Sequence, residues 1–130
     1  MASPNQGPRF IEDGKVWAAS ISTANTNRDG TGTIGTVVTA GAQGSRVDLV
    51  RAVSTGTTTA GVVRIFVHDG SAYYLVKEIL VSAVTPSTTV EVESLEWAPT
   101  EPIILPTSWS LRASTHNAEE FDVTVYGGDY

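Results

Sequence analysis

Two closely spaced glutamates are the first side chains in this sequence whose type and spacing suit acid–base chemistry. Glu91 and Glu93 lie on the same face of a predicted strand, about 7 Å apart by strand rise. That separation is within the range used by inverting glycoside hydrolases. The two residues alternate with Val90 and Val92, however, which is typical of the solvent side of a half-buried strand. We therefore expect a surface position for both carboxylates.

The two histidines each have an acidic neighbour in the sequence. His68 precedes Asp69 and His116 is close to Glu119, an arrangement that suggests proton transfer. Both acids suit turns equally well, and no serine stands in a Gly-x-Ser-x-Gly nucleophile elbow. The glycines of residues 30–33 are followed by strand residues without the lysine of a phosphate-binding loop. We expect no catalytic residue and no cofactor, so the protein is predicted not to be an enzyme.

A possible calcium loop occupies residues 25–30, where oxygen-bearing side chains alternate before a glycine. Only Asp29 supplies negative charge, and Arg28 lies among the candidate ligands. The twelfth position of such a loop is Thr36, where a bidentate glutamate is required. Asparagine, aspartate and glycine also build ordinary turns. The loop is therefore predicted to be a turn without a metal.

Composition and charge narrow the classes of partner. The net charge of −6, with Lys15 and Lys77 as the two lysines, argues against neutralisation of a nucleic-acid backbone. The absence of cysteine excludes disulfides and thiolate metal sites. No segment has the length and apolarity of a membrane span or a secretory signal, so we expect a protein that stays in aqueous solution.

The pattern along the chain predicts an all-β protein. Short runs rich in valine and threonine alternate in polarity, whereas amphipathic helix patterns are missing. The predicted strands cover residues 15–22, 33–39, 46–53, 62–68, 73–81, 88–97, 109–114 and 121–126. We expect an antiparallel β-sandwich with jelly-roll topology over residues 14–130 and an extended arm over residues 1–13.

Three details of this prediction can be compared with the structure. Val47, Leu49 and Val53 share one strand parity, with Arg51 as the exception on that face. The apolar parity changes within residues 88–97, which predicts a β-bulge near Ser94. Residues 109–114 and 121–126 alternate alike and are predicted to pair with each other.

Several segments resemble a group of small virion proteins from tailed bacteriophages and prophages. The resemblance covers most of the chain after about Lys15, and it is carried by SISTANTNRDGTG (20–32), GTTTAG (56–61), SLRASTHNAE (110–119) and YGGD (126–129). It implies a structural role, as a capsid decoration or cement protein on the capsid exterior, with the major capsid protein as partner. It also favours a homotrimer. A tail or head-fibre component is the alternative within this class.

The candidate partner-binding residues come from the arm and from one proline-bracketed segment. Prolines confine residues 103–105 to a sheet edge or a covering loop, where bare apolar side chains would promote aggregation. The candidates are Pro4, Pro8, Arg9, Phe10, Ile103, Ile104 and Leu105. A carbohydrate-binding module for host adsorption is the alternative from another class, with Trp17, Trp97, Trp109 and one of Tyr73 and Tyr74 as its stacking platform.

Overall fold

A computed structural model describes residues 10–130, which form two antiparallel β-sheets and contain no helix. The strands are β1 (Asp13–Ile21), β2 (Gly35–Thr39), β3 (Ser45–Ser54), β4 (Gly61–His68), β5 (Tyr73–Val81), β6 (Ser94–Trp97), β7 (Ile103–Leu105), β8 (Ser110–Thr115) and β9 (Phe121–Asp129). No helix capable of crossing a membrane is present in this range.

The strands divide into a five-stranded and a four-stranded sheet. The five-stranded sheet has the order β1-β9-β3-β6, and β7 pairs with β3 beside β6. The four-stranded sheet has the order β2-β8-β4-β5. Every strand pair is antiparallel. The all-β class predicted from the sequence is therefore confirmed.

The two sheets enclose one apolar core. Alternate residues of β4 and β9, such as Ile65 and Val125, point towards it and are fully buried. Burial of this kind drives folding because apolar surface leaves water. Trp17 and Trp97 pack against the same core from β1 and β6.

A β-bulge in β3 corrects the face predicted for that strand. The register against β9 shifts between Val47 and Leu49. Val47 and Val50 consequently point into the core, whereas Leu49 and Arg51 lie on the outer face. Arg51 is thus no exception among core residues, because the extra residue changes the parity of the strand after Val47.

The long strand predicted at residues 88–97 was wrong in its first half. Only Ser94–Trp97 forms β6, whereas Ser87 and Val90 exchange backbone hydrogen bonds in a turn. The change of apolar parity near Ser94 therefore marks the beginning of a strand and not a bulge within one. Glu91 and Glu93 precede that strand and do not share a strand face.

The predicted pairing of the strands around residues 109–114 and 121–126 was also wrong. β8 pairs with β2 and β4, whereas β9 pairs with β1 and β3 in the other sheet. The connection at residues 116–120 therefore crosses between sheets. The alternation of apolar and polar residues indicates which face of a strand is buried, but it does not indicate which sheet the strand joins.

Candidate interaction surface

The outer face of β4, in the four-stranded sheet, is covered by the protein's own loop at residues 22–34, whereas Leu75 and Leu80 on the same face of β5 are exposed. Arg64 and Phe66 lie on this face of β4, opposite in direction to the core residues Val63 and Ile65, yet both are fully buried. Tyr73 packs edge-on against Phe66, with ring centroids 6.0 Å apart. A strand covered on both faces explains why β4 is apolar almost throughout.

Arg64 joins this loop to its surroundings by contacting three groups, of which the Asn25 carbonyl belongs to the loop. Its Nε donates to Glu78 Oε2 at 2.8 Å, and its Nη1 donates to the backbone carbonyl of Asn25 at 3.0 Å. Its Nη2 lies 3.2 Å from Nδ1 of His116. A buried guanidinium needs this degree of pairing because an uncompensated charge in the interior is strongly unfavourable.

The arginine also determines the state of its neighbours. A guanidinium can only donate hydrogen bonds, so His116 Nδ1 is the acceptor in this contact. Hydrogen bonds from Arg28 and Arg64 hold the pKa of Glu78 below its ordinary value. The cluster is thus an ion-pair network built around one carboxylate.

The loop has its own internal support. The Asn25 amide donates to the carbonyls of Thr31 and Thr33, each at 2.9 Å. Gly30 has a φ of +88°, and a Cβ at that position would lie 2.6 Å from Cβ of Tyr73. Glycine therefore meets two requirements at residue 30, namely the left-handed backbone and the close approach to the sheet.

Arg64 was not among the functional residues predicted from the sequence. The alternation of β4 places Arg64 on one strand face with Val62, Phe66 and His68. The available signal was that Phe66 and Val62 share that face, which indicates that the face is covered and not open to solvent.

The outer face of the five-stranded sheet also carries accessible apolar side chains. Val16, Tyr126 and Leu49 are neighbours across β1, β9 and β3. Val16 is exposed, and Tyr126 and Leu49 are half-buried. Among residues 10–130, the short segment before β1 is the part seen packing over this face.

Charges on this face are neutralised locally. Arg51 forms two hydrogen bonds with Glu96 Oε1, at 3.0 and 2.6 Å, and its guanidinium lies 5.5 Å from the ring centroid of Tyr126. Arg46 pairs with Asp48 at 2.8 Å. Paired charges beside exposed apolar groups are compatible with a protein-binding surface, which is depleted of free charge at its centre.

One of the predicted contact residues, Ile104, lies at one end of this face. Gly14, Gly128, Arg46 and Ile104 form one row across β1, β9, β3 and β7. The side chain of Ile11 lies over Gly128, where a Cβ would otherwise be. Ile104 is therefore about 10 Å from Gly128, two strand spacings away. Phe10 immediately precedes Ile11 in the chain and so lies beside this end of the face.

The predicted contact residues differ in how exposed their side chains are. Phe10 is 72% exposed and Ile104 is 53% exposed, whereas Leu105 is fully buried in the core. Ile103 is half-buried and packs against the same core. A partner approaching the isolated chain therefore reaches Ile104 but not Leu105. Three further candidates lie outside the described residues: Pro4, Pro8 and Arg9.

The histidine and acid pairs do not come together. Asp69 accepts hydrogen bonds from the backbone N–H groups of Ser71 and Ala72, which lower its pKa to about 2. Glu119 accepts from the N–H of Thr59 at 2.7 Å. Both acids thus stabilise loop structure.

The candidate calcium loop uses its oxygen atoms internally. Asp29 Oδ1 accepts from the N–H and the hydroxyl of Thr31, and the Asn25 Oδ1 accepts from the N–H of Asn27. No cluster of three or more histidine, cysteine or acidic side chains suited to a metal is found among residues 10–130.

The proposed sugar-stacking platform is not assembled on the surface. Trp17, Trp97 and Trp109 are half-buried and pack against the core. Tyr73 is engaged with Phe66 and accepts a hydrogen bond from Arg112. Tyr126 is the remaining aromatic side chain on the accessible face of the five-stranded sheet.

The fold and this surface define an all-β protein of two antiparallel sheets, in which the loop at residues 22–34 covers the outer face of β4 and apolar side chains are accessible on the outer face of the five-stranded sheet. Comparison with known proteins found no matching family model, no significantly similar curated protein and no significantly similar solved structure.

Proposed function

We propose that this protein is a jelly-roll β-sandwich that serves as a structural component of a bacteriophage virion. In this proposal it decorates the outer surface of the capsid and binds the major capsid protein. Strand order supports the fold. When β7 is set aside and the remaining strands are renumbered, the sheets follow the orders 1-8-3-6 and 2-7-4-5. This is the arrangement of the jelly roll, a fold used by viral capsid proteins and lectins.

The observation that carries the binding role is the set of accessible apolar side chains at the outer face of the five-stranded sheet. Phe10, Val16 and Ile104 are exposed on or beside this face. Clustered apolar groups with paired charges are characteristic of a site that docks on another protein.

A structural role also accounts for the acidic and basic side chains. Arg64 and Glu78 stabilise the covered face, and Asp69 and Glu119 stabilise loops. We therefore propose a non-enzymatic protein. Weak individual contacts are sufficient for such a role because many copies on one shell increase overall avidity.

The test is binding to capsid shells that lack the protein. Ile104→Asp and Phe10→Asp should each weaken binding by about tenfold or more, as expected for central apolar contacts. Leu80→Asp is the matched control, since Leu80 is 78% exposed on β5 in the other sheet. Equal effects of Ile104→Asp and Leu80→Asp would contradict docking through the five-stranded sheet.

Arm deletion tests the second part of the binding site. Removal of residues 2–9 preserves the packing of Ile11 on Gly128 and the hydrogen bond from Glu12 N–H to the carbonyl of Asp129. We expect an unchanged far-UV circular dichroism spectrum and weaker binding to shells. Binding as tight as that of the full chain would show that the arm is not involved.

A homotrimer on the shell is part of the same proposal, because closed symmetry is usual for soluble oligomers. Light scattering of the free protein and mass analysis of decorated shells measure this directly. A single-chain mass in both states would contradict it. If the full chain binds no shell at all, the tail or head-fibre role or glycan binding replaces decoration, and Tyr126→Ala on a glycan array then tests the aromatic surface.

A further inference from the structure

Strand β5 forms an open edge of the four-stranded sheet. Among residues 10–130 it is paired with β4 on one side, and no strand is paired with its other side. β5 is nine residues long, and Tyr74, Leu75 and Val76 in its first half are exposed. A long apolar edge offers unpaired backbone N–H and C=O groups to the same strand of a second copy. A feature that prevents such pairing is therefore expected here.

Lys77 is placed to provide that feature. It lies directly opposite Ile65, which is fully buried in the core, so the Lys77 side chain leaves β5 on the core side of the sheet. Lys77 is nevertheless exposed. A lysine on an edge strand meets both conditions because its long aliphatic chain extends past the edge and brings the ammonium group into water.

The charge of Lys77 is not paired within the folded chain. Among the residues that the structure describes, Lys77 is not part of any salt bridge. Lys15, the other lysine of the sequence, pairs with Asp129 at 2.8 Å. Ion pairing therefore does not account for a cation at position 77, beside three exposed apolar residues on an open edge.

A β-bulge next to Lys77 acts in the same direction. The register of β4 against β5 shifts between Ile65 and Phe66, which pair with Lys77 and Leu75 and leave Val76 as the extra residue. A bulge interrupts the regular spacing of the backbone groups and increases the local twist, so a regular second strand fits poorly. Bulges and inward-directed lysines are both known means by which edge strands avoid pairing.

We propose that Lys77, together with the bulge at Val76, prevents β5 from pairing with β5 of a second copy. The proposal is independent of the capsid role. Two copies of one strand pair antiparallel about a two-fold axis, which places both Lys77 side chains on the same side of the joined sheet. The incoming strand also closes the path by which each ammonium group reaches water. Like charges on neighbouring strands and a charge removed from water are both unfavourable.

The test is to neutralise Lys77 in the full chain and to measure self-association by light scattering over a range of concentrations. Lys77→Val and Lys77→Thr remove the charge and favour a strand. We expect the average mass of each to increase with concentration to about twice that of the unchanged protein or more. In the assembled variants, hydrogen exchange of the backbone amides of residues 74–77 should be slower than in the unchanged protein.

Variants that retain a charge at the same position separate the charge from the rest of the side chain. Lys77→Arg and Lys77→Glu should both keep the mass of the unchanged protein. Thr124→Val is the matched control for an added apolar side chain, because Thr124 lies in β9, which is paired with β1 and β3 on its two sides. This variant should also keep the mass of the unchanged protein.

The results that would overturn the proposal are equally specific. One is an unchanged mass in a neutral variant that circular dichroism shows to be folded. Another is an equal increase in mass in Lys77→Glu or Thr124→Val. Assembly of the neutral variants without slower exchange at residues 74–77 would also overturn it, because the contact would then lie elsewhere.

Discussion

Two arginines on one carboxylate provide a direct test of how burial determines the strength of an ion pair. Arg28 and Arg64 both donate from Nε to Oε2 of Glu78, at 2.7 and 2.8 Å. The Arg28 side chain is 66% exposed, whereas that of Arg64 is 1% exposed. The acceptor atom is the same and the distances are nearly equal, so the environment is the main difference between the two pairs.

We expect Arg64→Met to destabilise the protein far more than Arg28→Met. Loss of the buried guanidinium leaves the Asn25 carbonyl and His116 Nδ1 without their donor, and breaking such a buried network costs about 3–5 kcal/mol. Loss of the exposed pair costs at most about 1 kcal/mol, because solvent screens it. At about 4 °C per kcal/mol, the corresponding loss in melting temperature is about 12–20 °C for Arg64→Met.

Urea denaturation of both variants measures this difference, with circular dichroism confirming that each begins folded. Arg64→Lys separates charge from geometry, since lysine retains the charge but cannot reproduce the planar set of donors. We expect Arg64→Lys to remain closer to Arg64→Met than to the unchanged protein. Equal losses in Arg28→Met and Arg64→Met, or full stability of Arg64→Lys, would refute the assigned role of Arg64.

Three further outcomes follow from the loops. The native pKa of Asp69, about 2, is below its unfolded value of about 4, so the stabilisation by Asp69 is complete above pH 4 and is lost as the pH falls towards 2. In Asp69→Asn, the free energy of unfolding measured with urea should therefore vary less with pH over that interval. The same pH dependence in the variant and the unchanged protein would contradict this. Gly30→Ala should lower the melting temperature more than Gly70→Ala, because both glycines have positive φ but only Gly30 lies close to Tyr73. Equal losses in melting temperature would show that the contact with Tyr73 is unimportant. Melting with EDTA and with millimolar Ca²⁺ should coincide because Asp29 is bonded within its loop, whereas a shift of many degrees would reveal a metal site.

The functional proposals rest on different parts of the molecule and can fail separately. The proposed capsid binding uses the accessible apolar side chains at the outer face of the five-stranded sheet, at Phe10 and Ile104. The proposed block to self-association depends on Lys77, at the open edge of the four-stranded sheet. Failure of one proposal in its own set of variants therefore leaves the other unaffected, and the matched controls at Leu80 and Thr124 detect general destabilisation.

The amino-acid sequence by itself determined the all-β class and most strand positions, because the alternation of buried and exposed side chains is a local property of a strand. β4 and β5 lie close to their predicted bounds, with a turn at Asp69 between them. The prolines around residues 103–105 also correctly indicated an edge position, since β7 pairs with β3 alone.

Only the tertiary structure decided which strands are partners and which faces are covered. β8 and β9 have similar patterns but belong to different sheets, because pairing depends on contacts between distant segments and not on alternation within a segment. In the same way, Arg64 has the position of a surface residue in its strand, yet the loop at residues 22–34 buries it. Leu105 and Ile104 are neighbours in the sequence, but the pleat of β7 directs Leu105 into the core and Ile104 outwards, so one stabilises the fold and the other is available to a partner.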